Sequence, residues 1–142
     1  MNINQAAVAS GLTADTIRFY ERKGVLPRPP RRDNGYRNYT ADHVRTLRLA
    51  RGLRHLEVPL EQVEPVIAVA HSGTCGEVRV GMIETLEGAL AETEQRLNDL
   101  MHVRDHLSLI LGGLKSMRPD ESTVPGMSAC ECVKMVSQAT EQ

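Results

Sequence analysis

The chain of 142 residues contains no tryptophan, one phenylalanine and three tyrosines. Large single cores usually draw on more aromatic volume, so the scarcity favours helical layers packed with Leu, Val and Ala. No apolar run approaches the roughly 20 residues that a membrane-spanning helix needs. The start, MNINQAAVAS, has no basic leader before an apolar stretch. A cytoplasmic protein without a membrane partner is therefore expected. Cysteine is sparse too, with only Cys75, Cys130 and Cys132. An odd number of thiols in a reducing compartment argues against a disulfide framework and towards thiolate chemistry. Neither a glycine-rich phosphate loop nor a nucleophile with its base can be picked out. An enzyme is not expected.

What is present is a strong separation of charge. Residues 1–55 carry eleven Lys/Arg against four Asp/Glu, a balance of +7, which leaves −8 for the remainder of a chain whose net charge is −1. A solvated surface normally mixes the signs. A basic half joined to an acidic half points to a polyanion-binding module attached to another element.

The basic half reads as a helix-turn-helix. NQAAVAS forms a short helix stopped by Gly11, and Thr13 caps a second helix with Asp15 in its first turn. This second helix runs through TIRFYERK to Gly24, with Ile17 and Phe19/Tyr20 on its packed side and Arg18 and Arg22 directed elsewhere. Three prolines then exclude helix from VLPRPPRR. Asn34-Gly35 predicts a hairpin with a type I′ turn, both of whose central residues need positive φ. With Arg31, Arg32 and Arg37 around it and Tyr36 and Tyr39 alternating beside it, this hairpin is a basic wing. Its arginines can grip phosphates and Tyr36 can hydrogen-bond one. Thr40 caps a third helix, whose Arg45, Arg48, Arg51 and Arg54 recur every three residues, and a fourth follows Pro59 and ends near Gly73.

From about Gly76 to Met117 runs one long helical pattern. Ile83, Leu86, Leu90, Thr93, Leu97, Leu100, Arg104, Leu107, Leu111 and Leu114 keep three-four spacing. Heptads sustained this far indicate a coiled coil, and one such helix needs a partner chain to bury its stripe. Gly112-Gly113 and then Pro119 are expected to end it and release a tail.

GLTADTIRFYERKGVL followed by NGYRNYT closely resembles the MerR family of bacterial transcription regulators, over roughly residues 1–115. The resemblance implies a mainly α fold: a winged helix-turn-helix DNA-binding domain (1–72), a long helix pairing antiparallel in a homodimer (73–117) and a metal-binding effector tail (118–142). It implies promoter DNA as partner, with the effector-bound dimer untwisting a long spacer for RNA polymerase, which is indirect readout used as a switch. The expected DNA-binding residues are Thr13, Arg18 and Tyr20 of the helix-turn-helix and Arg31, Asn34, Gly35, Tyr36 and Arg37 of the wing. Arg18 is expected in the major groove, and Tyr20, Tyr36 and Arg37 at phosphates.

SGTCGEVR, with Cys75, resembles the branch that senses divalent soft metals; the monovalent copper sensors place serine there. The tail departs from the pattern, because those relatives place one cysteine at the end of the dimer helix. Here GGLKSM has Leu114 at that point, and both cysteines come later as Cys-Glu-Cys. A helix of about forty residues is roughly 60 Å long, so a tail of fifteen or so residues could return to its own Cys75 only if almost fully extended. In an antiparallel dimer, Cys130 and Cys132 meet Cys75 of the partner chain instead. Three thiolates suit a soft cation: mercury or lead with sulfur alone, zinc or cadmium with His71, Glu131 or water added. The competing reading is a redox or electrophile sensor that uses the same thiols.

Overall fold

The computed structural model describes residues 1–118 and 130–138, whose regular structure is six α-helices and one antiparallel bridge. The helices are α1 (Ile3–Ser10), α2 (Ala14–Lys23), α3 (Ala41–His55), α4 (Leu60–Ser72), α5 (Cys75–Ser116) and α6 (Glu131–Gln138). The chain divides into two compact units, Met1–Ala91 and Glu92–Gln142.

Short helices survive in the first unit because their free ends are satisfied. Asn2 and Gln5 exchange side-chain to backbone hydrogen bonds of 2.9 Å each at the start of α1. Thr13 accepts from the Thr16 N–H at 3.1 Å to start α2, and Thr40 with His43 forms a reciprocal box at the start of α3. Gly11 and Gly24 take the left-handed conformation (φ 71° and 78°) that closes α1 and α2.

The end of α1 is held by arginines from α3, a use that three-residue periodicity does not reveal. Arg48 donates to the Ala9 carbonyl at 3.0 and 2.7 Å, and Arg51 to the Ser10 carbonyl at 3.0 Å. Arg54 donates to the Val58 carbonyl at 2.8 Å. Cations at free helix carbonyls favour both the hydrogen bonds and the helix dipole. Three of the four arginines that recur every three residues along α3 are thus structural. Arg51 passes so close to Gly11 that an added Cβ would lie 1.8 Å from its Nη1. Gly11→Ala therefore meets both a clash and a left-handed backbone, and is expected to cost about 1–3 kcal/mol. A thermal melt checks it: an unchanged Tm would show that Arg51 does not need this passage.

Ile17, Tyr20, Leu26, Tyr39, Leu47, Val58 and Val63 form the core of this unit, with Met82, Leu86 and Ala89 of α5 packed against it. The first turns of α5 are therefore anchored on the helix-turn-helix unit. Phe19 departs from expectation. It is 37% exposed, with Lys23 Nζ 5.9 Å from its ring centroid.

One expectation about the acidic half needs correction. Gly112 and Gly113 lie inside α5, which ends at Ser116; Pro119 is outside the described residues. In the second unit, Gly113 leaves room for Met135 of α6, whose Sδ would be 2.9 Å from an added Cβ. The glycine lies beside the Met135 side chain and does not end the helix. Within the expected effector tail, Glu131–Gln138 form α6.

Candidate functional site

The wing tip turns differently from the type I′ expectation. Among its residues only Gly35 has positive φ, at 77°. Gly35 N–H donates to the Arg32 carbonyl at 2.8 Å, and Arg32 N–H donates to that of Tyr36 at 2.8 Å. This is a three-residue loop with its left-handed residue last, so Asn34 keeps negative φ. The Asn34 side chain instead accepts from the Tyr36 N–H at 3.3 Å. Pairing below the tip is limited to one bridge, Arg31 to Arg37. Pro27, Pro29 and Pro30 on the incoming side lack N–H donors, which limits any longer ladder.

The base of the wing is locked to α2 by a buried carboxylate. Glu21, with its side chain 6% exposed, pairs with Arg37 Nε at 3.0 Å and accepts from the Tyr39 hydroxyl at 2.5 Å. Burial, the bond to Glu21 and that carboxylate's charge together push the Tyr39 phenol well above its usual range. Arg37, expected at a phosphate, is also a clamp between the wing and α2.

Arg18 stands half-exposed on α2, in a 2.7 Å pair with Asp15. Such a surface pair contributes little in water and leaves the guanidinium free to exchange partners. Tyr36 is 73% exposed, and Arg31 is exposed beside it. Tyr20, expected at a phosphate, is 5% exposed and its ring belongs to the core; it positions α2. Thr13 is occupied as the α2 cap. Arg22, expected to point away from the packed side of α2, is exposed, and so is Arg28. Arg22 follows Arg18 by four residues on α2, which puts the two on one side of the helix.

The thiols occupy two helix starts. Cys75 is the exposed first residue of α5, where Thr74 and Glu77 form a capping box. Cys130 precedes α6, and its carbonyl accepts from the Lys134 N–H at 3.0 Å. The backbone N–H groups of Val133 and Cys132 hold its thiol below the usual range. Cys132, one position inside the same helix, is pushed up by local loss of solvent and by the Cys130 sulfur beside it. Cys75 belongs to the first unit and the pair to the second. Among the described residues of one chain, no three His, Cys, Asp or Glu side chains assemble as a metal-binding group. His71 Nε2 lies 2.9 Å from the hydroxyl of Thr46, a buried residue of α3.

On the acidic side, α5 leaves Ile83, Leu90, Leu97, Leu100, Leu107 and Leu111 exposed. No described helix is long and apolar enough to cross a membrane.

The profile described as "MerR HTH family regulatory protein" matches residues 1–68. The HTH-type transcriptional regulator CueR of Yersinia pestis is 39% identical over 107 residues, covering 75% of this chain and 76% of that protein. Among solved structures, the transcription regulator PbrR691 from Ralstonia metallidurans CH34 in complex with lead(II) shares the fold with a TM-score of 0.71. It is 20% identical, covering 96% of this chain and 98% of that one. HiNmlR, a MerR family regulator bound to promoter DNA, shares it with a TM-score of 0.54 at 23% identity, over 79% and 83% of the two chains.

Proposed function

Since the chain belongs to the MerR family of helix-turn-helix transcription regulators, we infer that it is a homodimeric promoter-binding regulator switched by a thiophilic divalent metal. Its role is to bind and distort DNA, with no catalytic step, in the cytoplasm where the promoter and RNA polymerase are. The α5 stripe would pair antiparallel with that of a second copy and set two α2–wing modules on one promoter. Arg18 would read a base edge; Arg31, Tyr36, Arg37, Asn34 and Gly35 at the wing would meet the backbone.

The observation that carries the metal reading is chemical: all three cysteines sit at helix starts, exposed or half-exposed. A structural cysteine is normally buried as a small apolar side chain. Cys75 of one subunit with Cys130 and Cys132 of the other would supply three soft donors, fitting mercury, lead, cadmium or zinc. That PbrR691 was solved with lead(II) agrees with such an effector. Because Cys130 is held below the usual thiol range, it would also react with an electrophile, the second reading.

A metal titration of the reduced protein with promoter DNA present separates the two. The expected result is about one tightly held thiophilic ion per subunit together with a change in promoter geometry. Reversible oxidation with no metal uptake would favour the electrophile sensor. On the DNA side, Arg18→Ala is expected to lose discrimination between promoter and random DNA, at about 1–3 kcal/mol for one good base contact. Arg37→Ala should weaken binding to every sequence and flatten its salt dependence. If Arg37 acts mainly through Glu21, Glu21→Gln will reproduce the weakening without the loss of salt slope. Full promoter selectivity in Arg18→Ala would reject α2 as the reading helix.

A further inference from the structure

We propose that His102 and His106 form a second metal site, on α5, for borderline divalent cations such as zinc, nickel or copper(II). The two lie four residues apart on a helix that runs without a break from Cys75 to Ser116. They are separated by about 6 Å along the axis and, at about 100° per residue, by only about 40° around it. Two imidazoles so placed converge on one ion, as in helical His-x-x-x-His zinc motifs. Both residues are exposed, and neither ring has a hydrogen bond or ion pair among the described residues.

No neighbouring carboxylate joins the two rings in a group of three potential metal ligands among the described residues. Asp105 pairs with Arg104 at 3.0 Å, and Asp99 accepts from Gln95 Nε2 at 3.0 Å. The ligand set is then two ring nitrogens completed by water, which suits borderline ions and lacks the sulfur that mercury and lead prefer. Val103 stands where helical zinc hydrolases carry a glutamate base after the first histidine. The site binds without hydrolytic chemistry.

Around the helix, the pair lies about 140–180° from the middle of the Leu97–Leu107–Leu111 stripe. A cation there leaves the apolar seam free and clamps two successive turns of α5. Because it binds the folded helix and not the unfolded chain, it raises thermal stability with concentration. The thiol-bound effector acts at other residues, so the two metals are separable.

The test uses the full-length chain with Cys75, Cys130 and Cys132 all changed to Ser, which isolates this site from the thiolate reading. Calorimetric titration with zinc is expected to show one ion per subunit, with Tm rising as zinc is added. Loss even of an outer-shell partner costs a metal site roughly tenfold, so His102→Ala and His106→Ala should each cost at least that. Copper(II) paramagnetic resonance should show two equatorial nitrogens, reduced to one in either variant. Zinc affinity unchanged in His102→Ala or His106→Ala would overturn the site, since His43, His55 and His71 would then account for the binding. No zinc uptake by the cysteine-free chain at millimolar metal would overturn it equally. Either failure leaves the thiol-based effector reading standing.

Discussion

A heterodimer of Cys75→Ser with Cys130→Ser/Cys132→Ser is expected to recover one high-affinity site for a thiophilic divalent metal, although each homodimer should have none. The recovery follows from donor placement. Cys75 opens α5, whereas Cys130 and Cys132 follow the whole of that helix in sequence and flank the start of α6. Pairing α5 antiparallel with a second copy brings each start beside the other's end. In the heterodimer, one junction keeps Cys75 from one subunit and the intact pair from the other, while the opposite junction has lost all three sulfurs. Two sulfurs of a Cys-x-Cys pair have a limited bite, and Cys75 alone is a single donor, so either homodimer loses tight binding outright. Thiolate-to-metal charge transfer in the ultraviolet reads the outcome as half the wild-type amplitude per dimer. A mixture that stays without charge transfer would sink the shared site. DNA binding by the metal-free variants should be unaffected, because none of the three thiols lies in the α2–wing module.

The second large effect is expected at the middle of α5. Leu97 is 56% exposed on the single chain, and Leu90, Leu100 and Leu107 around it are similarly open. Covering a leucine from that state is worth about 1 kcal/mol or more, since full burial of such a side chain contributes roughly 1.5–3 kcal/mol. A stripe of this length therefore supports a tight dimer, and dimer and folded α5 stand or fall together. Leu97→Asp places a carboxylate without a partner in the seam, at a cost of several kcal/mol if it remains charged. Sedimentation should show monomer, or circular dichroism the loss of helix, and promoter affinity should collapse because two modules no longer act jointly. Leu97→Asp protein that sediments as a folded dimer would place the interface on another face. His102→Ala, on the opposite side of α5, should leave the dimer intact.

The local signals in the sequence were strong enough to determine the element order. Gly11, Thr13, Gly24 and Thr40 each have a backbone conformation or a capping bond specific to their residue type, and all four stop or start a helix as their chemistry requires. The three-four apolar spacing fixed α5, because an uninterrupted period of that length has no other regular structure to serve. The resemblance of the RFYE and NGYR segments carried the family. Tertiary structure decided the uses to which individual side chains were put. The bonds of Arg48 and Arg51 to the end of α1, and the pairing of Arg37 with the buried Glu21, join residues far apart in the chain. Tyr20 and Phe19 differ only in which face of α2 meets the core, and that choice set one inside and left the other at the surface. Gly113 looks like a helix stop by composition, yet it lies inside α5 with the Met135 side chain beside it. Periodicity reports which residues share a side of a helix, while the partner on that side is a long-range fact that no short window of sequence contains.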